Sequence, residues 1–385
     1  MSKQKLQMVS AFYGELAKNN PEIHQNFFGL YDTFSIELFL KCAETGEKNV
    51  MLSPLSVLTA LSMVMNGADG NTKAAVEKQI GMTAAELGRS ITAYARSLYQ
   101  SEDCTVTSVC SMWIRDEYKG NIRDSFCDAL EDIYDSEIML APFDSATVDS
   151  INAWCSKNTG GRLKKLISDI PDDTVLLLAN ALVFEAEWQE LQKAPVKRIF
   201  NGLGGTKEVD MLLDSVLYDE DCTGFLKDYK GGRYAFVALL PNDENENIYS
   251  FAASLATGRW RYLFDTAFEA SAHISLPCFS ADYSDTDLQE KLNEIGYSAL
   301  TDLKADFMGI LKSPFDGSFR LGNVTHSVHL DVTPFGTVAA GATVAAMPGD
   351  SFPQYRIDLT RPFVYAIVDK TTGSMLFVGV ITDIG

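Results

Sequence analysis

The sequence predicts an α+β fold in one domain. Three observations carry that expectation. Some stretches place apolar residues at helical spacing, while others are continuous β-prone apolar runs. The two kinds alternate irregularly, and the strands read as mostly antiparallel, which is the α+β pattern. No Pro-, Gly- or Ser-rich linker, internal repeat or low-complexity tract divides the 385 residues. Such a chain is long enough for one large domain or two ordinary ones, and without a divider residues 1–385 are read as one.

The elements follow in chain order. "FSIELFLKCAE", Phe34 to Glu44, has apolar residues at helical spacing. In "SPLSVLTALSMVMNGADG", Ser53 is a good N-cap and Pro54 suits the first helical position. Gly67 and Gly70 are expected to end this helix, and its nearly all-round apolarity predicts burial in the middle of the fold. "TVLLLANALVFEAEW", Thr174 to Trp188, is too apolar and β-prone for a surface helix and predicts a central strand buried on both faces. "RYAFVALLPND" reads as another strand, stopped by Pro241. "DTDLQEKLNEIGYSAL" is an amphipathic helix whose end is marked by Gly296. "RPFVYAIVDKTTGSMLFVGVIT" reads as strand, turn at Thr372-Gly373, and strand.

Composition excludes several functions. Hydrophobic content of 46% and charged content of 22% are those of a globular protein. A net charge of −20 opposes binding to nucleic acid, anionic lipid or heparin-like polymers, because like charges repel. No helix carries a Lys/Arg cluster to offset this; Arg89 and Arg96 stand alone in a candidate surface helix. Cys42, Cys104, Cys110, Cys127, Cys155, Cys222 and Cys278 are scattered, odd in number and without CxxC spacing. Buried thiols are therefore expected in place of a zinc site or a disulfide framework. The N-terminus lacks the apolar stretch and small-residue cleavage site of a signal peptide. No run approaches the ~18 apolar residues that span a membrane. The chain is expected to be intracellular, or to have lost its signal before this numbering begins.

An enzyme is not expected. The histidines are His24, His273, His326 and His329, and no G-x-S-x-G elbow is present. His326 and His329 lie three apart in a predicted strand, so they point to opposite faces and cannot share a metal. H-E-x-x-H, G-x-x-x-x-G-K-[ST] and a strand-linked G-x-G-x-x-G are all missing. Spacing singles out no glycosidase-like carboxylate pair in so acidic a chain. Neither a cofactor nor a metal is implied.

One stretch does not fit an ordinary core. "GTVAAGATVAAMPGDS", Gly336 to Ser351, strings together small, mostly apolar residues with no charge until Asp350. It follows a good strand, "VTHSVHLDV", and precedes another, "RPFVYAIV". A long uncharged connection at such a place is unusual. An Ala-rich buried segment or a flexible linker has the same composition.

From Phe34 onward the motifs resemble those of the serpin family. "NVMLSPLSVLTALSMVMNGADGNT" resembles its N-V-x-x-S-P-x-S signature and following turn. "INAWCSKNTGGRLKKL" and "LLLANALVFEAEW" resemble its I-N-x-W…T-x-G-x-I segment and its L-x-N-A-x-x-F-x-x-x-W strand. "ISLPCFSADYSDTDLQEKLNEIGYSALTD…ADFMGI" and "RPFVYAIVDKTTGSMLFVGVI" resemble segments flanking its reactive loop. The resemblance implies three β-sheets surrounded by about eight or nine helices, with an exposed reactive-centre loop. It leaves residues 1–33 as an N-terminal extension and makes 336–353 the hinge and loop. It implies an irreversible inhibitor of serine or cysteine endopeptidases. The loop is bait, and after cleavage residues 337–349 insert as a strand into the central sheet. The alternative is a relative that kept the fold as a carrier, chaperone or storage protein, or one that is cleaved without trapping.

On that reading the hinge comprises Gly336, Thr337, Val338, Ala339, Ala340, Gly341, Ala342 and Thr343. Along a strand, Thr337, Ala339, Gly341, Thr343 and Ala345 share one face, and all are small. A charge carried into the sheet would cost several kcal/mol, against ~0.5–1.5 kcal/mol gained per ladder hydrogen bond. The run avoids that cost. The family's usual spacing from the hinge glycine puts the scissile bond at Asp350-Ser351. That implies a peptidase with acidic specificity. A slipped register would place the cut at Ala346, Met347 or Phe352 and suit an elastase-like or chymotrypsin-like enzyme.

The resemblance also assigns switch residues. Ser53, Ser56, Asn180 and His326 match a polar cluster under the centre of the sheet, able to hold two strands together and re-form after they part. Unrelated satisfied polar residues are the other reading. Trp188 matches the tryptophan where insertion begins. Pro334 and Cys278 stand where the family commonly has a Glu–Lys pair, so both charges are gone together. An uncharged contact there can be nearly neutral in stability, and Pro334 stiffens the start of the loop. The expected partner is a target endopeptidase, with neither nucleic acid nor membrane involved. A monomer liable to loop–sheet polymers and an extracellular setting are implied by family likeness.

Overall fold

The first helix begins earlier than the Phe34 periodicity suggests. In the computed structural model α1 spans Phe27–Ala43. Phe27, Phe28 and Tyr31 extend its buried side beyond Phe34, Leu38 and Phe39. The last part of the predicted extension, from Phe27 onward, is thus core-forming helix. The structure describes residues 21–44, 46, 48–98, 104–134, 136, 138–172, 174–189, 196–203, 205–212, 216–268, 272–285, 288–302, 304–313, 326–337 and 355–384.

β1 (Val50–Leu52) leads into α2 (Pro54–Met65), every residue of which is buried. Ser53 caps it, its hydroxyl accepting from the Ser56 amide at 3.4 Å, and Pro54 opens it. Gly67 follows the helix and packs so closely that a Cβ there would lie 2.2 Å from Ile310. Gly70 does not end this helix. It is the first residue of α3 (Gly70–Ile80), where Asp69 caps it by accepting from the Gly70 amide at 2.8 Å. Next come α4 (Ala84–Leu98), β2 (Cys104–Arg115), α5 (Asp124–Tyr134), β3 (Ile138–Ala141), α6 (Ser145–Asn158) and β4 (Leu176–Glu187). They are followed by β5 (Val196–Gly202), β6 (Gly205–Leu212), β7 (Val216–Tyr218), β8 (Cys222–Asp228) and β9 (Tyr234–Pro241).

The chain continues through α7 (Ile248–Ser254), α8 (Thr257–Asp265), β10 (Ala272–Pro277), β11 (Phe279–Asp285) and α9 (Leu288–Leu292). α9 is shorter than its amphipathic pattern, because the backbone leaves the helix at Ile295 and Gly296, the latter at φ 104°. The last elements are β12 (His326–Thr333), β13 (Gly336–Thr337), β14 (Tyr355–Asp358), β15 (Phe363–Asp369) and β16 (Ser374–Ile381).

The strands form three sheets. The central sheet has the order β11-β12-β13-β4-β2-β3, a second six-stranded sheet runs β1-β16-β15-β9-β8-β7, and a four-stranded sheet runs β14-β10-β6-β5. Pairing is antiparallel except for β2–β3 and β10–β14. Nine α-helices are present among the described residues, and none is long and apolar enough to cross a membrane. All seven cysteines are thiols, four buried and three half-buried.

β4 lies between two cores. Its side chains alternate, so Leu177, Ala179, Ala181 and Val183 join a cluster with Ile151 and Cys155 of α6. Leu176, Leu178, Leu182 and Phe184 face the main core with α2. A strand covered on both sides reads as an unbroken apolar run. The second sheet is built the same way, with β15 and β16 fully buried. Their turn depends on Asp369, which is 0% exposed. Its carboxylate accepts from Arg233 at 3.0 Å and from the Thr371 amide at 3.0 Å. Its carbonyl accepts from the Gly373 amide at 2.7 Å. Asp369→Ala should destabilise the native protein by about 3 kcal/mol, since it leaves the guanidinium without its buried partner. Denaturant titration followed by tryptophan fluorescence measures this.

Candidate functional site

β12 turns back on itself at Pro334-Phe335, and the returning chain enters the central sheet. Gly336 and Thr337 pair antiparallel with Thr333 and Val332 on one side and with Glu187 and Ala186 on the other. β13 therefore stands between β12 and β4. Among the described residues no ladder pair runs directly from β12 to β4. Below Thr337 lies a seam flanked by two strands.

The turn uses residues suited to it. The Thr333 hydroxyl donates to the Gly336 carbonyl at 2.7 Å and accepts from the Phe335 amide at 3.2 Å. Pro334, half-buried in the turn, has no amide hydrogen to place. Gly336 has φ +152°, and a Cβ there would lie 2.0 Å from the Ala186 carbonyl oxygen. Only glycine permits so close a backbone approach.

Under the turn sits Trp188, 1% exposed. Its indole donates to the Thr333 carbonyl at 3.0 Å, and its amide donates to the Phe335 carbonyl at 3.0 Å. The indole stacks on Tyr229 at 4.5 Å, and the Lys227 ammonium lies 5.0 Å from the indole ring. A cation over an indole face is attracted by the ring quadrupole. The Tyr229 and Thr337 hydroxyls are 2.6 Å apart, and Thr337 is 1% exposed. Burial holds the Tyr229 hydroxyl well above its ordinary pKa, so it stays protonated and available to this bond.

Farther down the seam, the N-terminus of α2 touches both flanking strands. The Ser53 amide donates to His326 Nε2 on β12 at 3.0 Å. Asn180 on β4 donates to the Ser56 carbonyl at 2.9 Å. All four residues are buried. The accepting Nε2 places the proton of a neutral His326 ring on Nδ1. His326 faces inward, whereas His329 is half-exposed on the opposite face and bonds Asp331 at 3.0 Å. Burial pushes the neighbouring Cys110 thiol up to about 12, so it stays protonated. The opposite face is crossed by the segment after α6, where Arg162 meets Glu185 of β4 and the Leu166 carbonyl accepts from Ser327 of β12 at 3.3 Å.

The structure thus brings Ser53, Ser56, Asn180 and His326 together at one level of the seam, and Trp188, Pro334, Gly336 and Thr337 at another. Cys278 is half-buried between β10 and β11, one residue before the Phe279–Val332 pair. Val338, Ala339, Ala340, Gly341, Ala342, Thr343, Asp350 and Ser351 lie outside the described residues. Sequence reasoning missed Tyr229, Thr333 and Lys227. Tyr229 precedes a Gly-Gly turn, which marks a hairpin but not what the ring will face. No group of three or more His, Cys, Asp or Glu is arranged to hold a metal ion among the described residues.

Comparison with known proteins agrees with this architecture. Residues 30–384 match the family model "Serpin (serine protease inhibitor)". Iripin-1 of Ixodes ricinus is 26% identical, covering 91% of this chain and 93% of its own. The leukocyte elastase inhibitor of Bos taurus is 27% identical, covering 90% and 96%. The native state of the thermophilic serpin Tengpin superposes with a TM-score of 0.85 at 29% identity, covering 94% and 95%. With a family model spanning nearly its whole length, the chain belongs to the serpin family.

Proposed function

We propose that the protein is an irreversible endopeptidase inhibitor that traps its target by inserting its cleaved loop into the seam between β12 and β4. One observation carries this reading. Thr337, the first residue after the hinge glycine, is already a strand residue hydrogen-bonded into the sheet between those two strands.

Extending the observed register supports it further. Thr337 pairs with Ala186 and Val332. Each further residue of the loop moves one residue down both neighbours, which brings Thr343 opposite Asn180 and His326 together. Residues paired across antiparallel strands share a face. Thr337, Ala339, Gly341, Thr343 and Ala345 would then face the α2 side, and Thr343 would meet the polar cluster. Val338, Ala340, Ala342, Val344 and Ala346 would face α6. Both faces of β4 are closely packed, so an entering strand must be small and neutral on both sides. The loop sequence meets that requirement.

The chemistry falls to the peptidase. It attacks the carbonyl of the bait residue, forms its acyl-enzyme, and releases the new amino terminus of the downstream chain. Insertion draws the acylated end away and disrupts hydrolysis. The chain supplies the free energy by completing a strand, so the uncut state is held kinetically. Asp350-Ser351 is our reading of the bait bond. Asp350 adds no buried charge on insertion, because it would stay at the acylated end beyond residues 337–349.

A peptidase panel tests the reading. Acid-specific enzymes should give a covalent band on a denaturing gel, and mass spectrometry should place the cut after Asp350; elastase-like enzymes test the slipped register. Clean cleavage without a band would assign the protein as a substrate. A cut after Met347 or Phe352 would replace the acid-specific reading. Thr337→Arg should abolish the band while leaving loop cleavage intact, because a guanidinium at this buried position would cost several kcal/mol. His326→Ala should lower native stability by about 1–3 kcal/mol by leaving the buried Ser53 amide without its acceptor; thermal melting of the uncut protein reads this.

A further inference from the structure

The far end of the loop is marked by aromatic rings left in solvent. Tyr218, at the end of β7, is 50% exposed, and Phe268, after α8, is 42% exposed. Between them lies Tyr355, the first residue of β14, with ring centroids 6.3 Å from Tyr218 and 6.0 Å from Phe268. Grouped exposed aromatics mark interaction surfaces, whereas single ones do not. The rim is acidic. The β7–β8 turn presents Glu220 and Asp221, and the Asp221 side chain is 76% exposed. The nearby cations are already engaged, Arg356 with Asp358 at 2.7 Å and Arg259 with Asp219 at 3.3 Å and with Asp221 at 3.4 Å, which leaves Asp221 largely exposed.

Chain length decides what covers this patch. Tyr355 follows the proposed Asp350-Ser351 bond so closely that, at up to ~3.6 Å per residue, it lies within roughly 15 Å of it. A peptidase domain of about 220 residues has a radius of gyration near 17 Å. An enzyme of that size gripping that bond comes within reach of the rings. We propose that Tyr218, Phe268 and Tyr355, with Glu220 and Asp221, form a docking surface for the target peptidase. It fits an enzyme with apolar and basic side chains beside its cleft. The proposal rests on the loop being cut by a peptidase, and not on the trapping step that follows.

The test compares loop cleavage in the full chain with cleavage of a synthetic peptide spanning 343–356. Granzyme B and leukocyte elastase are the probes, and the faster one on the parent protein is used. The paired variant Tyr218→Ala with Phe268→Ala should cut the second-order rate on the full chain by roughly tenfold, as for truncated aromatic anchors at interfaces. Its melting temperature should stay at that of the parent, and the peptide rate reports the peptidase alone. Glu220→Lys with Asp221→Lys should slow the same reaction at low salt, with the difference vanishing at about 0.5 M salt. Rates within twofold of the parent in both variants would overturn the docking surface. So would concentration-dependent self-association, in sedimentation, that the aromatic variant abolishes without a change in cleavage rate; the patch would then belong to a second copy of the chain. The covalent band reads trapping separately, so its loss with an unchanged variant effect would sink the inhibitor reading and leave the docking surface standing.

Discussion

A sheet can receive a new strand in its interior only where two neighbouring strands are unpaired or can part. The rest of this structure follows from that constraint. β13 separates β12 from β4, and no rung joins those two directly among the described residues. Backbone donors and acceptors are obligatory hydrogen-bonding groups, so a seam of this kind favours any chain that can complete its ladders. The short hairpin at Pro334-Phe335 brings Gly336 and Thr337 in between those strands at the upper end of the seam. Gly336 is the geometric key, since a side chain there would collide with the backbone of Ala186.

What keeps the seam from closing or spreading is a set of contacts made by other elements. The N-terminus of α2 reaches β12 through Ser53 and β4 through Ser56. The segment after α6 reaches the same two strands on the other face, through Arg162 and Leu166. These ties are hydrogen bonds and a partly exposed ion pair, each modest in net strength. Modest ties can break in sequence, which a continuous ladder between β12 and β4 would not allow so readily. At the top, Trp188 and Tyr229 form a rigid floor on which Thr337 rests. The absence of a charged pair at Pro334 and Cys278 leaves that corner to backbone bonds and ring packing.

Much of the fold was legible along the chain. The continuous run Leu176–Phe184 identified a strand covered on both faces, because only burial on two sides removes the polar alternation. Ser53 and Pro54 marked the start of α2 through local capping chemistry. Other boundaries were not legible. α1 starts at Phe27, since tertiary packing of Phe27, Phe28 and Tyr31 continues the helix past the strongest periodicity. Gly70 opens a helix instead of closing one, because Asp69 supplies a cap that outweighs the glycine signal. The Ser53–His326 contact joins residues 273 positions apart and rested on family likeness, not on spacing.

The sequence alone determined the small, neutral character of the run after Gly336, the capping of its helices, and its family, because these are properties of neighbouring residues. Only the tertiary structure decided that Thr337 meets Tyr229, that the Trp188 indole donates to the Thr333 carbonyl, and that no ladder pair joins β12 to β4 among the described residues. Those facts depend on the register between strands far apart in the chain. No local propensity encodes that register; it emerges when both faces of β4 are buried at once.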